Sequence, residues 1–158
     1  MRMRTAAITL HLLTTVVVAV LTTVASVSLA MAQPAAIASN EAHTLVSKGK
    51  LLLIDIRTAE DRQRTGIAKG AVTLDRSLPL DVFIASVKRL THGKRDARIA
   101  LVCAAGVWSS EMQTNLEVAG YTRVFNVVDG MEGNDRGRGW LANGLPVRSW
   151  PSKRVERR

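Results

Sequence analysis

The chain has 158 residues, 47% of them hydrophobic and 4% aromatic, with 22 basic side chains against 13 acidic ones and a formal net charge of +9. That length holds one domain and hardly two. The basic side chains are scattered or gathered in the closing SKRVERR, with no basic stripe interleaved with aromatics, which argues against nucleic-acid binding.

The chain opens with Arg2 and Arg4, continues through a long uncharged apolar run, and reaches Ala30-Met31-Ala32 just before Gln33. This is the pattern of a signal peptide over residues 1–32, cleaved after a small-x-small site. An uncleaved anchor is the competing reading, because Thr5 to Ala30 is long enough to span a bilayer. The Thr, Ser and Ala content and the placed cleavage pattern favour removal. The expectation is an exported protein, periplasmic or secreted, with no membrane attachment after cleavage and a net charge lowered by two. No cysteine lies near the junction, so an N-terminal lipid-bearing cysteine is excluded.

Residues 33–38 read as a flexible leader. SNEAHTLVSKGK then reads as a helix that Ser39 or Asn40 caps and Gly49 stops. LLLIDI is a continuous apolar run of strand length, as expected for a strand buried on both faces. A short polar helix over Ala59 to Arg64, a turn through Gly66 and Gly70, and a brief strand AVTL follow. LPLDVFIASVKRL places Val82, Phe83, Ser86, Val87 and Leu90 at helical spacing, with Pro79 suited to the start. RIALVC is a second buried strand. After it comes a helix expected over Ser110 to Ala119, with Ser110 and Gln113 as a capping-box pair and Gly120 as the stop. YTRVFNV is a further strand, and a short helix is expected around Trp140 to Asn143. Strands alternating with helices predict a parallel sheet covered on both faces, with ligands beyond the carboxyl ends of the strands.

Cys103, the single cysteine, stands at that edge. It cannot form an internal disulfide, so in an exported protein it is either a buried structural residue or a reactive one. The loop after it, AAGVW, contains Gly106 and runs into a helix start. Successive N–H groups there can turn toward the sulfur, and such concavities favour a thiolate or a persulfide anion. Asp55 ends a buried strand on the same edge, where it could orient the site. Asp55 and Arg57 are expected in a structural role, bonding loop amides and pairing with Glu60. No Ser-His-Asp or metal-ligand spacing is present.

Three blocks of the chain together resemble the single-domain rhodanese-like sulfurtransferases, over Ala38 to Val147. LLLIDIRTAEDRQRTGIAKGAV is similar to that family's first-strand signature, with Asp55, Arg57 and Glu60. LVCAAGVWSSEMQTNLEVAGYTRVFNVVDGMEG resembles its active-loop strand, loop and helix, with Cys103, Gly106 and Ser109 where the pattern C-x-x-G-x-R-S puts them. GWLANGLPV resembles its closing segment. The resemblance implies a three-layer α/β sandwich with a central parallel sheet of about five strands and helices on both faces. The rhodanese-like domain is expected over residues 39–148, followed by a basic tail over 149–158.

The resemblance also implies sulfur transfer through a Cys103 persulfide. The backbone amides of Ala104, Ala105, Gly106, Val107, Trp108 and Ser109 form the substrate-binding cradle, and no metal or organic cofactor is needed. The donor is a small sulfur-containing anion such as thiosulfate, or a persulfide. The acceptor is cyanide, a thiol or a protein sulfur acceptor. The alternative is a persulfide-relay or binding module with little turnover of its own, because Trp108 stands where the family pattern has arginine. The loop is then without a cation, which predicts weak use of thiosulfate and a more apolar donor. Lys69, Arg76, Arg136 and Arg138 are candidate cations that the sequence does not bring to the pocket. A phosphatase or arsenate reductase would need a longer loop closed by arginine, which CAAGVWSS lacks.

Overall fold

The computed structural model describes residues 35–150. The expected signal peptide and the tail from residue 151 lie outside the described residues. Five strands form one parallel sheet in the order β1 (Ala36–Ile37), β6 (Val124–Val127), β5 (Ile99–Val102), β2 (Leu52–Asp55) and β4 (Val72–Thr73). The helices are α1 (Ser39–Ser47), α2 (Ala59–Thr65), α3 (Leu80–Leu90), α4 (Val107–Val118) and the short α5 (Gly139–Ala142). A second, two-stranded sheet pairs β3 (Ile67–Ala68) with β7 (Val147–Arg148) in antiparallel fashion.

β5, and β2 as far as Ile54, are apolar because both of their faces are covered. Alternate residues of β2 and β5 feed two separate cores. Leu53, Ala100 and Val102 pack with Ala42 of α1 and Trp140 of α5 on one face. Ile54, Ile99, Leu101 and then Cys103 pack with Phe83 and Val87 of α3 and Leu116 of α4 on the other. Phe83 and Val87 sit four residues apart on one side of α3 and are fully buried. Burial of that kind stabilises by about 1.5–3 kcal/mol per side chain. The expected three-layer α/β sandwich is the observed architecture.

Several local expectations give way to tertiary contacts. Residues 36–37 of the expected leader are an edge strand, with Ala36 opposite Asn126 and Ile37 opposite Val127. The helix that follows is not capped by Ser39 or Asn40. Ala38 is its cap residue, with no side-chain cap bond. Asp129, far along the chain, accepts from the Ser39 amide at 2.8 Å and the Ser39 hydroxyl at 2.6 Å instead. Part of the expected turn through Gly66 and Gly70 is strand β3. Within the tail expected over 149–158, Trp150 packs against the core, and the Arg62 guanidinium lies 4.7 Å from its ring centroid.

Helix α4 starts three residues before its expected position. Gly106 is its cap residue, in the left-handed conformation at φ 77°. The capping-box pair is absent, since the Gln113 amide donates to Val124 O at 2.9 Å and Ala35 O at 3.0 Å. Those bonds fasten α4 to β6 and to the residue before β1. The early start matters for the site, because the open amides of the first helical turn now belong to the cysteine loop itself.

Candidate active site: the Cys103 loop

Cys103 follows β5 directly, and the chain rises from there into a tight loop that closes at Gly106. A left-handed residue is required at that point. The space is required as well: a Cβ on Gly106 would lie 2.3 Å from Val128 O. Gly130 makes the same close approach from the other side, its own missing Cβ falling 2.3 Å from Ala104 O. The loop is thus pressed flat against residues 128–134.

That segment fixes which way each peptide of the loop faces. The Met131 amide donates to Cys103 O at 2.9 Å, and the Glu132 amide donates to Ala104 O at 2.8 Å. The Asn134 side-chain amide donates to Ala105 O at 2.8 Å and to Val128 O at 2.7 Å. The Asn126 side-chain amide donates to Gly106 O at 2.9 Å. Four consecutive carbonyls are therefore tied outward. In a trans peptide the N–H points opposite to the C=O, so the amides of Ala104, Ala105, Gly106 and Val107 turn to the inner side of the loop. The Gly106 amide is found there, donating to Cys103 Sγ at 3.1 Å. Ser109 Oγ lies 3.2 Å from the same sulfur and donates to Asn126 Oδ1 at 2.7 Å. Among the described residues, no acceptor meets the amides of Ala104, Ala105, Val107 and Trp108.

The geometry is that of an anion cradle built from main-chain donors, with the positive end of α4 added to it. Cys103 forms its floor and is 2% exposed, while Val107 and Trp108 at the rim are 65% and 50% exposed. Of the residues expected in the cradle, Ala104 to Ser109 all lie on this loop and first turn. Asn126, Gly130 and Asn134 were not expected. Asn126 carries a signal that sequence reading could use, since a buried polar residue inside an apolar central strand needs a specific partner.

Asp55 and Arg57 lie beside the loop rather than in it. Their pairing is bidentate, with Arg57 Nη2 2.7 Å from Asp55 Oδ2 and Nε 3.0 Å from Oδ1. Arg57 also donates to Thr65 Oγ1 and Gly66 O, each at 2.7 Å. The expected partner Glu60 is exposed on α2 and takes no part, because the two-residue span from Asp55 to Arg57 already closes the pair. This buried knot fixes the end of β2 next to the strand that carries Cys103. The neighbouring α2 is tied to the segment beneath the loop by Arg64, which bonds Glu132 at 2.7 Å and Asp61 at 2.9 Å. Burial raises the Asp61 carboxyl, but hydrogen bonds from Arg64 and Thr58 and the charges of Arg64 and Arg57 outweigh it and leave it below the usual range.

A cysteine just past a buried strand, under a ring of inward amides, stands at the carboxyl edge of an open parallel α/β sheet. The comparisons name the class. Residues 38–134 match the family model described as a rhodanese-like domain, and the chain belongs to that family. It is a family of sulfurtransferase-type and sulfur-relay domains. An uncharacterized protein of Rickettsia conorii is 31% identical over 107 residues, covering 65% of this chain and 86% of its own. The crystal structure of Rv0390 from M. tuberculosis superposes with a TM-score of 0.58 at 25% identity, over 75% of this chain and all of that one. Thiosulfate sulfurtransferase from Pseudomonas aeruginosa superposes at 0.59 with 19% identity, over 73% of this chain and 20% of that one, a likeness of fold.

Proposed function

We propose that this chain is an exported sulfurtransferase that carries a sulfane sulfur as a persulfide on Cys103. The observation that supports it best is the outward anchoring of four successive carbonyls, with the Gly106 amide at hydrogen-bond distance from the sulfur. Donors held in place before the reaction begins need no reorganisation when charge arrives on the outer sulfur. Export is supported by the basic start, the apolar run and the Ala30-Met31-Ala32 site.

In the first half-reaction the Cys103 thiolate attacks the terminal sulfur of a donor such as thiosulfate. A new S–S bond forms to Cys103, the donor S–S bond breaks, and its electron pair leaves on sulfite. The persulfide carries one negative charge on its outer sulfur, which the inward amides receive. In the second, cyanide or a thiolate takes that outer sulfur and the electron pair returns to Cys103. The low exposure of Cys103 favours slender donors with a terminal sulfur.

A persulfide-relay module with little turnover is the second reading, favoured by Trp108 in place of the loop arginine. Both readings need the thiol. Thiocyanate formation from thiosulfate and cyanide by the chain lacking residues 1–32 is expected to fall to the uncatalysed background in Cys103→Ser. Equal activity in the variant would exclude Cys103 as the carrier. A wild-type protein that gains a sulfur but releases it only to a protein thiol would select the relay.

A further inference from the structure

The loop carries no cation of its own, yet one stands at its rim. The Arg76 guanidinium carbon lies 4.3 Å from the ring centroid of Trp108, the residue that occupies the arginine position. The connection from β4 to α3 brings it there. Ile56 N donates to Val102 O at 3.0 Å, Leu74 N to Asp55 O at 3.1 Å, and Arg76 N to Ile56 O at 3.2 Å. The backbone of Arg76 therefore runs one chain spacing beyond the extension of β2, which itself runs beside β5. Two spacings of about 4.8 Å put it roughly 10 Å from the Cys103 backbone, within reach of an arginine side chain.

Among the described residues, the Trp108 indole is the one partner shown for this guanidinium. Among the described residues, no carboxylate lies within ion-pair distance of Arg76, whereas Arg57, Arg62 and Arg64 all have one. A cation–π contact occupies no N–H group as a hydrogen-bond donor, and a guanidinium's N–H groups make the forked bonds that oxyanions accept. Trp108 is half exposed, so the pair is at the surface where a ligand arrives. Of the candidate cations from the sequence, Arg76 is the one whose charged group meets a loop side chain among the described residues. Lys69 lies with His43, Val46 and Pro146 at a separate hollow.

We propose that Trp108 positions Arg76 so that this guanidinium supplies, from outside the Cys103 loop, the anion-binding charge that the loop lacks. This replaces the expectation of an apolar donor and rests on the sulfurtransferase reading given above. The main-chain ring would then hold the transferred sulfur while Arg76 holds the sulfonyl oxygens of thiosulfate or an alkyl thiosulfonate.

Binding and turnover test it separately. In the Cys103→Ser background, titration with thiosulfate followed by isothermal calorimetry is expected to show saturable binding that weakens about tenfold on adding Arg76→Ala, as for loss of a charge-assisted bond. Arg76→Lys should weaken it less. Trp108→Ala should match Arg76→Ala, and combining those two should add little. Trp108→Arg placed on Arg76→Ala should restore affinity, because the charge then comes from the loop itself. In the enzyme with Cys103 intact, Arg76→Ala is expected to raise KM for thiosulfate about tenfold with kcat within about twofold. Thiosulfate affinity unchanged by Arg76→Ala in a folded variant, or no saturable binding in the parent, overturns the proposal. Failure of the wild-type protein to gain sulfur, with the affinity pattern intact, sinks the sulfurtransferase reading alone.

Discussion

Arg57→Ala is expected to lower the free energy of unfolding by about 3–5 kcal/mol, the range found when one partner of a buried ion pair is removed. The reason is the charge left behind. Asp55 is fully buried, and two of the hydrogen bonds to its carboxylate come from the Arg57 side chain. The variant also leaves Gly66 O and the Thr65 hydroxyl without the donor that closes the end of α2. Urea denaturation of both proteins at neutral pH measures the difference. The double variant Asp55→Leu/Arg57→Met should be less destabilised than Arg57→Ala, because neither charge then remains without its partner. A loss below about 1 kcal/mol in Arg57→Ala would show that water reaches Asp55 and that the knot does not hold the end of β2.

Asn126→Asp is expected to slow persulfide formation by about 10²- to 10³-fold, the range measured for removing one preorganised donor from an oxyanion site. The change is nearly isosteric, so it isolates electrostatics from packing. It removes the amide that holds Gly106 O at 2.9 Å, which frees the peptide whose N–H belongs to Val107 to turn over. It also places a carboxylate against Ser109 Oγ, which is itself 3.2 Å from Cys103 Sγ. Negative charge there opposes both the thiolate and the persulfide anion. Asn126→Ala removes the anchor without adding charge and should lose less. Stopped-flow or quenched-flow release of sulfite reads the first half-reaction, with circular dichroism to confirm the fold. An Asn126→Asp protein that loads sulfur at the wild-type rate would mean that the carbonyl anchors do not set the chemistry.

What the sequence reveals and what it hides follow the range of the contacts involved. β5, and β2 as far as Ile54, are legible as apolar runs because both of their faces are covered, and α3 because Phe83 and Val87 recur at helical spacing. β1, β3 and β7 are two residues long, too short to carry a period, and their partners lie far off in the chain. Ser39 and Gln113 have the residue types of local caps, yet they bond across the fold to Asp129, Ala35 and Val124. Local capping is a default that a nearer tertiary partner displaces.

At the site, Cys103 and the glycine that closes its loop stand out from their position between an apolar run and a helix. The groups that turn the loop's carbonyls outward do not, since Met131, Glu132 and Asn134 reach it only through the course of the chain after β6. The same applies to Arg76. Its meaning depends on Trp108, and nothing in the spacing of those two residues brings them together. A charge absent from one loop can be supplied by another, which a reading of the loop alone does not detect.

The proposed chemistry needs a Cys103 sulfur, met by the Gly106 amide, that takes up and releases a second sulfur. Intact-mass spectrometry of the chain from Gln33 onward, after brief exposure to thiosulfate and again after cyanide, tests this most directly. A gain of one sulfur atom is expected, lost again on adding cyanide, with no gain in Cys103→Ser. An unchanged mass in the wild-type protein across thiosulfate, alkyl thiosulfonates and low-molecular-weight persulfides, or an equal gain in Cys103→Ser, would contradict it.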